Sequence, residues 1–391
     1  MTDQRVSPAA SRALGIYVHV PFCARRCGYC AFVTYAPGEI HADDAHRRWV
    51  DAAVAEVAVA DRELRNLLGD ERPALTSVYV GGGTPTLLEP RLLATVLAEI
   101  RRRFDTIDDL EVSVEANPDG LRESTLDELS ECGVTRVSFG MQSTVPHVLE
   151  LLDRTHDPDS VPRSVEAARA AGVGSVSLDL IHGTPGESAE DWERTVDAAL
   201  GLRPDHLSAY ALGIEPGTKL AARVRSGSLP VPSPDEAAER YELLDSRASA
   251  AGLEWYELSN WARTPSDRCR HNLLYWRDDD WWGIGPGAHS HVCDQRWWNH
   301  TELDRWSGDA VDQRVPDAGR ERLSDEERRT ERIMLGIRLA EGIPEDWSVP
   351  GSVDALVGDG LLRRHGRGRV ALTPEGRLLA DLVVRRLRWN E

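Results

Sequence analysis

Six short apolar runs alternate with helical patterns over the first half of the chain, and this rhythm limits the possible folds more than any other feature. The runs are "IYVHV" (16–20), "SVYVGGG" (77–83), "EVSVEANP" (111–118), "TRVSFGMQ" (135–142), "SVSLDLIHG" (175–183) and "HLSAYALGI" (206–214). Between the first two, residues 49–68 carry Val50, Val54, Val57, Leu64 and Leu68 at helical spacing, and helical patterns recur over 91–104, 125–133, 161–172 and 188–202. Ser188 followed by Asp191 reads as a capping box. Strands separated by helices pair in parallel through right-handed crossovers. The pattern predicts an α/β fold and leaves open whether the sheet is doubly wound or part of a barrel. In either case a site forms at the C-terminal ends of the strands. Polar residues and glycines gather there: a cysteine loop after the first run, then Gly81–Thr84, Glu115 and Asn117, Gln142, Asp179 and His182.

The second half reads differently. Residues 215–235 hold four prolines and predict a linker or long loop. Residues 255–306 hold eight of the twelve tryptophans. The tail over 325–391 predicts two helices, a hairpin "GLLRRHGRGRVALT", and a last helix opening at Thr373-Pro374, together a small winged-helix-like unit. Its arginine excess over 350–391, eight against five acids, suits a packing module better than a DNA reader. We divide the 391 residues into a tail (1–15), a large unit (16–230) and a C-terminal unit (231–391). A net charge of −19 disfavours nucleic-acid partners. No stretch approaches the ~20 apolar residues of a membrane span, and the first residues lack the apolar run of a signal peptide. A cytoplasmic location is the expectation.

The loop "YVHVPFCARRCGYCAFVTY" (17–35) sets Cys23, Cys27 and Cys30 at C-x3-C-x2-C, while Cys132, Cys269 and Cys293 are scattered. A structural zinc site takes four ligands, usually in paired C-x2-C units, and no second pair follows. Three clustered thiolates suit an iron–sulfur cluster better, leaving one iron without a protein ligand.

This loop, with Tyr29 just before its last cysteine, resembles that of the radical S-adenosylmethionine (SAM) family. The resemblance implies a [4Fe–4S] cluster on Cys23, Cys27 and Cys30, an open iron that chelates the methionine moiety, and cleavage of S-adenosylmethionine by one electron. It also implies a partial (β/α)6 radical SAM barrel followed by a mainly helical, winged-helix-like domain. "GGGTPT" (81–86) and "EANP" (115–118) resemble further motifs of that family. "FGMQS" (139–143), "LLDRTH" (151–156) and "DLIHGTPGE" (179–187) are similar to the oxygen-independent coproporphyrinogen III oxidases and their relatives. By that likeness Tyr17, Gly82, Gly83, Thr84, Glu115, Gln142, Arg154, Asp179 and Ala211 contact S-adenosylmethionine, and Tyr29 is grouped with them. Ala288 and His289, in "GIGPGAHS" (283–290), are weaker candidates.

Two departures separate the chain from those oxidases. Phe32 stands where they carry a fourth cysteine, and only 16 residues precede Tyr17. Both features match the HemW branch, radical SAM haem chaperones, whose H-N-x-x-Y-W signature resembles "HNLLYW" (271–276). The branch implies haem binding at His271, and neutral imidazole is an ordinary axial ligand of haem iron. Tyr275, Trp276, Trp281 and Trp282 are near enough in sequence to wall a macrocycle, or to be ordinary core. Cys269 is a second, weaker ligand candidate. The resemblance implies delivery of haem to recipient haemoproteins such as respiratory enzymes, peripheral membrane contact through those recipients, and homodimer formation aided by the cluster. The rival readings are an oxygen-independent coproporphyrinogen III oxidase, which Phe32 argues against, and a tRNA-modifying radical SAM enzyme, which the acidity argues against.

Overall fold

The structure is a computed structural model and describes residues 12–40, 42–157, 159–366 and 368–388. The six expected runs are the parallel strands β1 (Leu14–Val20), β2 (Leu75–Gly82), β3 (Thr106–Ala116), β4 (Arg136–Gln142), β5 (Ser175–His182) and β6 (His206–Ala211). Helices α1 (Ala42–Leu68), α2 (Pro90–Arg103), α3 (Glu123–Glu131), α4 (Pro146–Leu151), α5 (Ser160–Ala170) and α6 (Ala189–Gly201) make the crossovers. The predicted capping box is present: Ser188 Oγ accepts from the Asp191 N–H at 3.1 Å, and the Asp191 carboxylate accepts from the Ser188 N–H at 3.0 Å. The first strand begins at Leu14, inside the segment expected as a tail. Residues 1–11 of that segment lie outside the described residues.

Two further elements depart from expectation. The proline-rich stretch contains helix α7 (Lys219–Arg225), opened by Thr218, whose hydroxyl accepts from the Ala221 N–H at 3.1 Å. It is followed by α8 (Pro234–Ala250), β7 (Glu254–Glu257), β8 (Asn260–Ala262) and α9 (Arg270–Trp276). Then β9 (Asp280–Ile284) returns to pair in parallel with β1, Tyr17 opposite Gly283, adding a seventh parallel strand to the six read from the sequence. Strands β10 (His289–Val292), β11 (Gln295–Asn299) and, after α10 (Leu303–Val311), β12 (Asp317–Arg322) extend that side antiparallel. The twelve-stranded sheet runs β12-β11-β10-β9-β1-β2-β3-β4-β5-β6-β8-β7 and stays open at both edges. It is a partial barrel, so the barrel alternative holds over the doubly wound one.

The last elements are α11 (Asp325–Gly336), β13 (Ile343–Pro344), α12 (Ser352–Gly358), β14 (Leu362–His365), β15 (Arg369–Leu372), α13 (Pro374–Leu378) and α14 (Ala380–Arg388). The hairpin β14–β15 and the Thr373 cap appear as expected. They enclose a second apolar cluster around Ile333, Leu356, Val370 and Leu387. The main core runs from Leu14 to Ala310 and takes in Trp261, Trp282, Trp297 and Trp306, so much of the tryptophan-rich segment is core packing.

Strand parity explains the architecture. Ile16, Val18, Val20, Val78, Val80, Val112, Val114, Val137, Phe139, Leu178, Leu180 and Leu207 face outward into the core beneath the helices. The alternate positions face inward and are polar or small: Tyr17, Tyr79, Glu115, Ser138, Gly140, Ser177, Asp179 and Ser208. Register keeps them in rows, with Tyr17 opposite Tyr79, Glu115 opposite Ser138, Ser138 opposite Ser177, and Asp179 opposite Ser208. Apolar outside and polar inside produces a hollow barrel.

Candidate functional site

The hollow is a chamber of about 1290 Å³ that reaches from the loops after β1, β2 and β3 down to α9. Most residues singled out from the motifs line it: Tyr17, Cys23, Cys27, Tyr29, Cys30, Gly82, Gly83, Thr84, Glu115, Gln142, Arg154, Asp179, Ala211 and His271. Asn117 lines it too. Ala288 and His289 do not. Ala288 is buried, and His289 stacks on Trp298 at 6.0 Å. His182 has the opposite parity to Asp179, so it points outward and packs against Trp192 at 5.4 Å rather than facing the site.

The cysteine loop is pinned at both ends. Cys23 N–H donates to Tyr35 O at 3.0 Å, and Arg26 reaches Thr34 Oγ1 at 3.1 Å and Glu39 Oε2 at 2.8 Å. In the middle, Gly28 N–H donates to Leu152 O at 3.3 Å and Gly28 O accepts from the Leu220 N–H at 2.9 Å. From below, the glycine turn after β2 locks on, with Gly83 N–H to Val20 O at 2.8 Å and Thr84 N–H to Phe22 O at 2.7 Å. A Cβ on Gly83 would lie 2.5 Å from that Phe22 carbonyl oxygen, so glycine here permits contact between two chain segments. Cys23, Cys27 and Cys30 are free thiols, each half-buried. Burial pushes the Cys23 thiol up to about 11, with the neighbouring Cys30 and Cys27 adding to it, and burial raises Cys30 as well. Among the described residues no three His, Cys, Asp or Glu side chains form a site for a single metal ion.

Arg154 is half-buried beside the loop. Its Nη1 lies 3.6 Å from Cys27 Sγ, and its Nη2 donates to Asn117 Oδ1 at 2.9 Å and to Gly140 O at 2.7 Å, while its Nε has no partner. Gln142 sits at the bulged end of β4 with φ +62°, a left-handed conformation uncommon outside glycine, here at the chamber wall. Glu115 accepts from Tyr79 Oη at 2.9 Å and from the Gly82 N–H at 3.0 Å. Burial, with Asp179 adding repulsion, lifts the Glu115 carboxyl to about 7. Asp179 is raised by burial in the same way, although both its oxygens accept from Ser138 Oγ at 2.9 Å. A chamber holding two such carboxyls favours a cationic ligand, which relieves the cost of ionising them.

Helix α9 seals the floor. Glu111, on an inward position of β3, caps its first turn by accepting from the Arg270 N–H at 2.9 Å and the His271 N–H at 3.3 Å. His271 is therefore held far from the rim, with no exposed surface. Its Nδ1 is 2.9 Å from Ser77 Oγ and its Nε2 3.0 Å from Tyr275 Oη, while its ring stacks on Tyr79 at 5.4 Å. Burial holds this imidazole neutral, down to about 3. An iron atom reaches Nε2 only after Tyr275 leaves it. Cys269 is also buried in the floor, its Sγ 3.6 Å from Glu111 Oε1. Trp281 packs edge-on against Tyr275 at 4.6 Å, and Trp282 against Trp297 at 4.8 Å within the core.

Sequence reasoning missed Tyr79, Arg136, Ser138, Ser177, His206 and Ser208, all chamber residues. The signal was available: each shares strand parity with Glu115 or Asp179, or with their register partners.

Comparison with known proteins gives three findings. Residues 17–199 match the Radical SAM superfamily. The chain is 46% identical over 385 residues to "Heme chaperone HemW" of Mycobacterium tuberculosis, covering 98% of this chain and 96% of that one, and 32% identical over 379 residues to the protein of the same name in Bacillus subtilis, covering 94% and 97%. Among solved structures, the coproporphyrinogen III oxidase HemN of Escherichia coli, described as a radical SAM enzyme, superposes with a TM-score of 0.79 over 96% of this chain and 90% of that one, at 23% identity. That likeness is one of fold.

Proposed function

The chain belongs to the HemW family of radical SAM proteins, and from that premise we propose that it is a haem chaperone, binding haem and passing it to apo-haemoproteins. Membership of the radical SAM family implies a [4Fe–4S] cluster and S-adenosylmethionine. The observation that carries the finer reading is convergence: the positions picked from the cysteine loop, the glycine turn, the strand ends and His271 line one chamber.

Cys23, Cys27 and Cys30 would hold the cluster. The donor set fits, being three thiols with no imidazole or carboxylate among them, and the half-buried Arg154 guanidinium stands beside Cys27 to offset thiolate charge. When bound, that cluster supplies a single electron to S-adenosylmethionine. The chain's own part is placement and charge. Glu115 and Asp179 would give the cationic cofactor two anionic contacts, and Arg154 with its unpaired Nε would hold a carboxylate. Phe32, in place of a fourth cysteine, offers no ligand. His271 serves as an iron ligand only in a state where the Tyr275 hydroxyl has swung away.

The test is anaerobic reconstitution followed by haem loading and transfer to an apo-haemoprotein acceptor. Stoichiometric uptake and transfer are expected. Failure to take up haem, or turnover of coproporphyrinogen III with carbon dioxide release, overturns the reading.

A further inference from the structure

Eight large hydrophobic side chains are exposed among the described residues, and three of them line the chamber: Phe32 at 63%, Tyr210 at 45% and Leu87 at 40%. Phe32 follows β1 and Leu87 follows β2, while Arg122 and Leu121 follow β3. Because β1, β2 and β3 are consecutive neighbours in the sheet, their C-terminal loops stand side by side on one arc of the rim. Phe32 cannot fold inward cheaply, since its loop is tied down at Cys23, Arg26 and Tyr35. An apolar surface held open at a cavity mouth marks a docking site.

Charge narrows the occupant. Five arginines line the chamber. Arg25 pairs with Asp153, Arg26 with Glu39, Arg136 with Ser175 and the Asp267 carbonyl, and Arg154 with Asn117 and Gly140. Arg122 has no side-chain partner among the described residues, and it is exposed. Asp119, on the same loop and also lining the chamber, lies within Coulombic reach of Arg154. On a chain of net charge −19, a free guanidinium beside exposed Phe and Leu selects a flat apolar molecule bearing carboxylates.

We propose that the rim arc of Phe32, Leu87 and Arg122 is the docking platform for haem, with the macrocycle's face on Phe32 and Leu87 and a propionate on Arg122. This rests on the haem-chaperone reading and adds to it a site distinct from His271, which lies on the floor with both ring nitrogens engaged. The rim meets an incoming porphyrin before the floor does.

The experiment is anaerobic haem titration of the reconstituted full chain, following the Soret band, for wild type, Phe32→Ala, Leu87→Ser, Arg122→Glu, Arg122→Lys and His271→Ala. Haem dimethyl ester, which lacks free propionates, is a parallel probe. Iron content and S-adenosylmethionine binding are measured on each variant; Leu87 and Arg122 lie off the cysteine loop, so their variants test the rim without touching it. Phe32→Ala and Leu87→Ser are each expected to weaken haem binding roughly five- to tenfold. Arg122→Glu is expected to weaken it by about tenfold or more, Arg122→Lys by less, and neither to change binding of the ester. Wild-type affinity in all rim variants, with loss only in His271→Ala, overturns the platform and leaves the chaperone reading standing. Haem affinity unchanged while Phe32→Ala dissociates a dimer overturns it in favour of a second copy seated on the rim. No haem binding by wild type overturns both.

Discussion

Gly83→Ala tests how the fold builds its cysteine loop. The new Cβ would sit 2.5 Å from Phe22 O, 2.9 Å from Phe22 C and 3.0 Å from Phe22 N. All three are backbone atoms, so no side-chain rotation relieves the overlap, and either the glycine turn or the Phe22 peptide moves by most of an ångström. Overpacking of this kind costs about 1–3 kcal/mol. The same shift stretches the Thr84 N–H to Phe22 O bond, now 2.7 Å, for roughly another 1 kcal/mol. A total of about 2–4 kcal/mol corresponds to a melting point lower by roughly 2–5 °C at this chain length. Because Phe22 immediately precedes Cys23, the displaced segment is the cysteine loop itself, so iron retained after anaerobic reconstitution should fall sharply. Gly201→Ala, with open space around the position, is the control and should change neither quantity. Full iron content in Gly83→Ala, with a melting point within a degree of wild type, would refute the claim that this glycine is required by contact with the loop.

Cys23→Ala, Cys27→Ala and Cys30→Ala should each lose most iron on reconstitution, while Cys132→Ala, outside the chamber, should keep it; colorimetric iron assay decides. Glu56 is fully buried and accepts from the Gly285 N–H at 2.9 Å, Asn299 Nδ2 at 2.7 Å and Trp306 Nε1 at 2.7 Å, tying α1 to the end of β9, to β11 and to α10. Glu56→Leu strands these donors and should cost about 3–5 kcal/mol in urea unfolding, against about 1–2 kcal/mol for Glu56→Gln, which keeps an acceptor oxygen. Burial, with Arg240 adding repulsion, holds His182 down to about 4. Its unfolded form takes up a proton first as pH falls, so it contributes stability in full above about pH 6.5 that is lost between about 6.5 and 4, at most about 3 kcal/mol. Unfolding free energies for His182→Leu should show a flatter acid limb than wild type over that window; an identical slope would count against the buried neutral imidazole.

Much of this was readable from the chain because the physics is local. Alternation of apolar and polar residues fixed both the strands and, through parity, which side chains enter the barrel; the three-residue offset from Asp179 to His182 already places them on opposite faces. What was not readable depends on distant contacts. The seventh parallel strand is only Asp280–Ile284, and its partner β1 lies more than 260 residues earlier, so nothing near it in sequence announces the pairing. The short helix α7 hides among prolines, which flank it but do not enter it, and Thr218 is its only local signature. The depth of His271 is set by the Glu111 carboxylate at the helix start, a contact across 160 residues, so the motif alone could not tell floor from rim.

That vertical separation has an electrostatic consequence. The interior carries Glu115 and Asp179, both half-buried on the chamber wall, and their carboxyls disfavour a further anion beside them. Arg136 and Arg154 stand in the same walls and their charges reach Asp179, so they soften the carboxylate field, while their bonds to backbone and side-chain acceptors leave few donors for an incoming dianion. The rim carries Arg122, which has no side-chain partner among the described residues, with Asp119 on the same loop. One cavity thus offers two sets of contacts, carboxyls for the cationic groups of the cofactor below and a guanidinium for a propionate at the lip, and two ligands of opposite net charge need not compete for them. If so, haem affinity at the rim should rise when the cationic cofactor is bound below, because its charge cancels the carboxylate field felt above. Titrating haem with and without S-adenosylmethionine at constant ionic strength measures this coupling, expected at roughly two- to fivefold and screened toward one by salt. Coupling of the opposite sign would mean that the two ligands overlap, and the charge-sorting argument would fail.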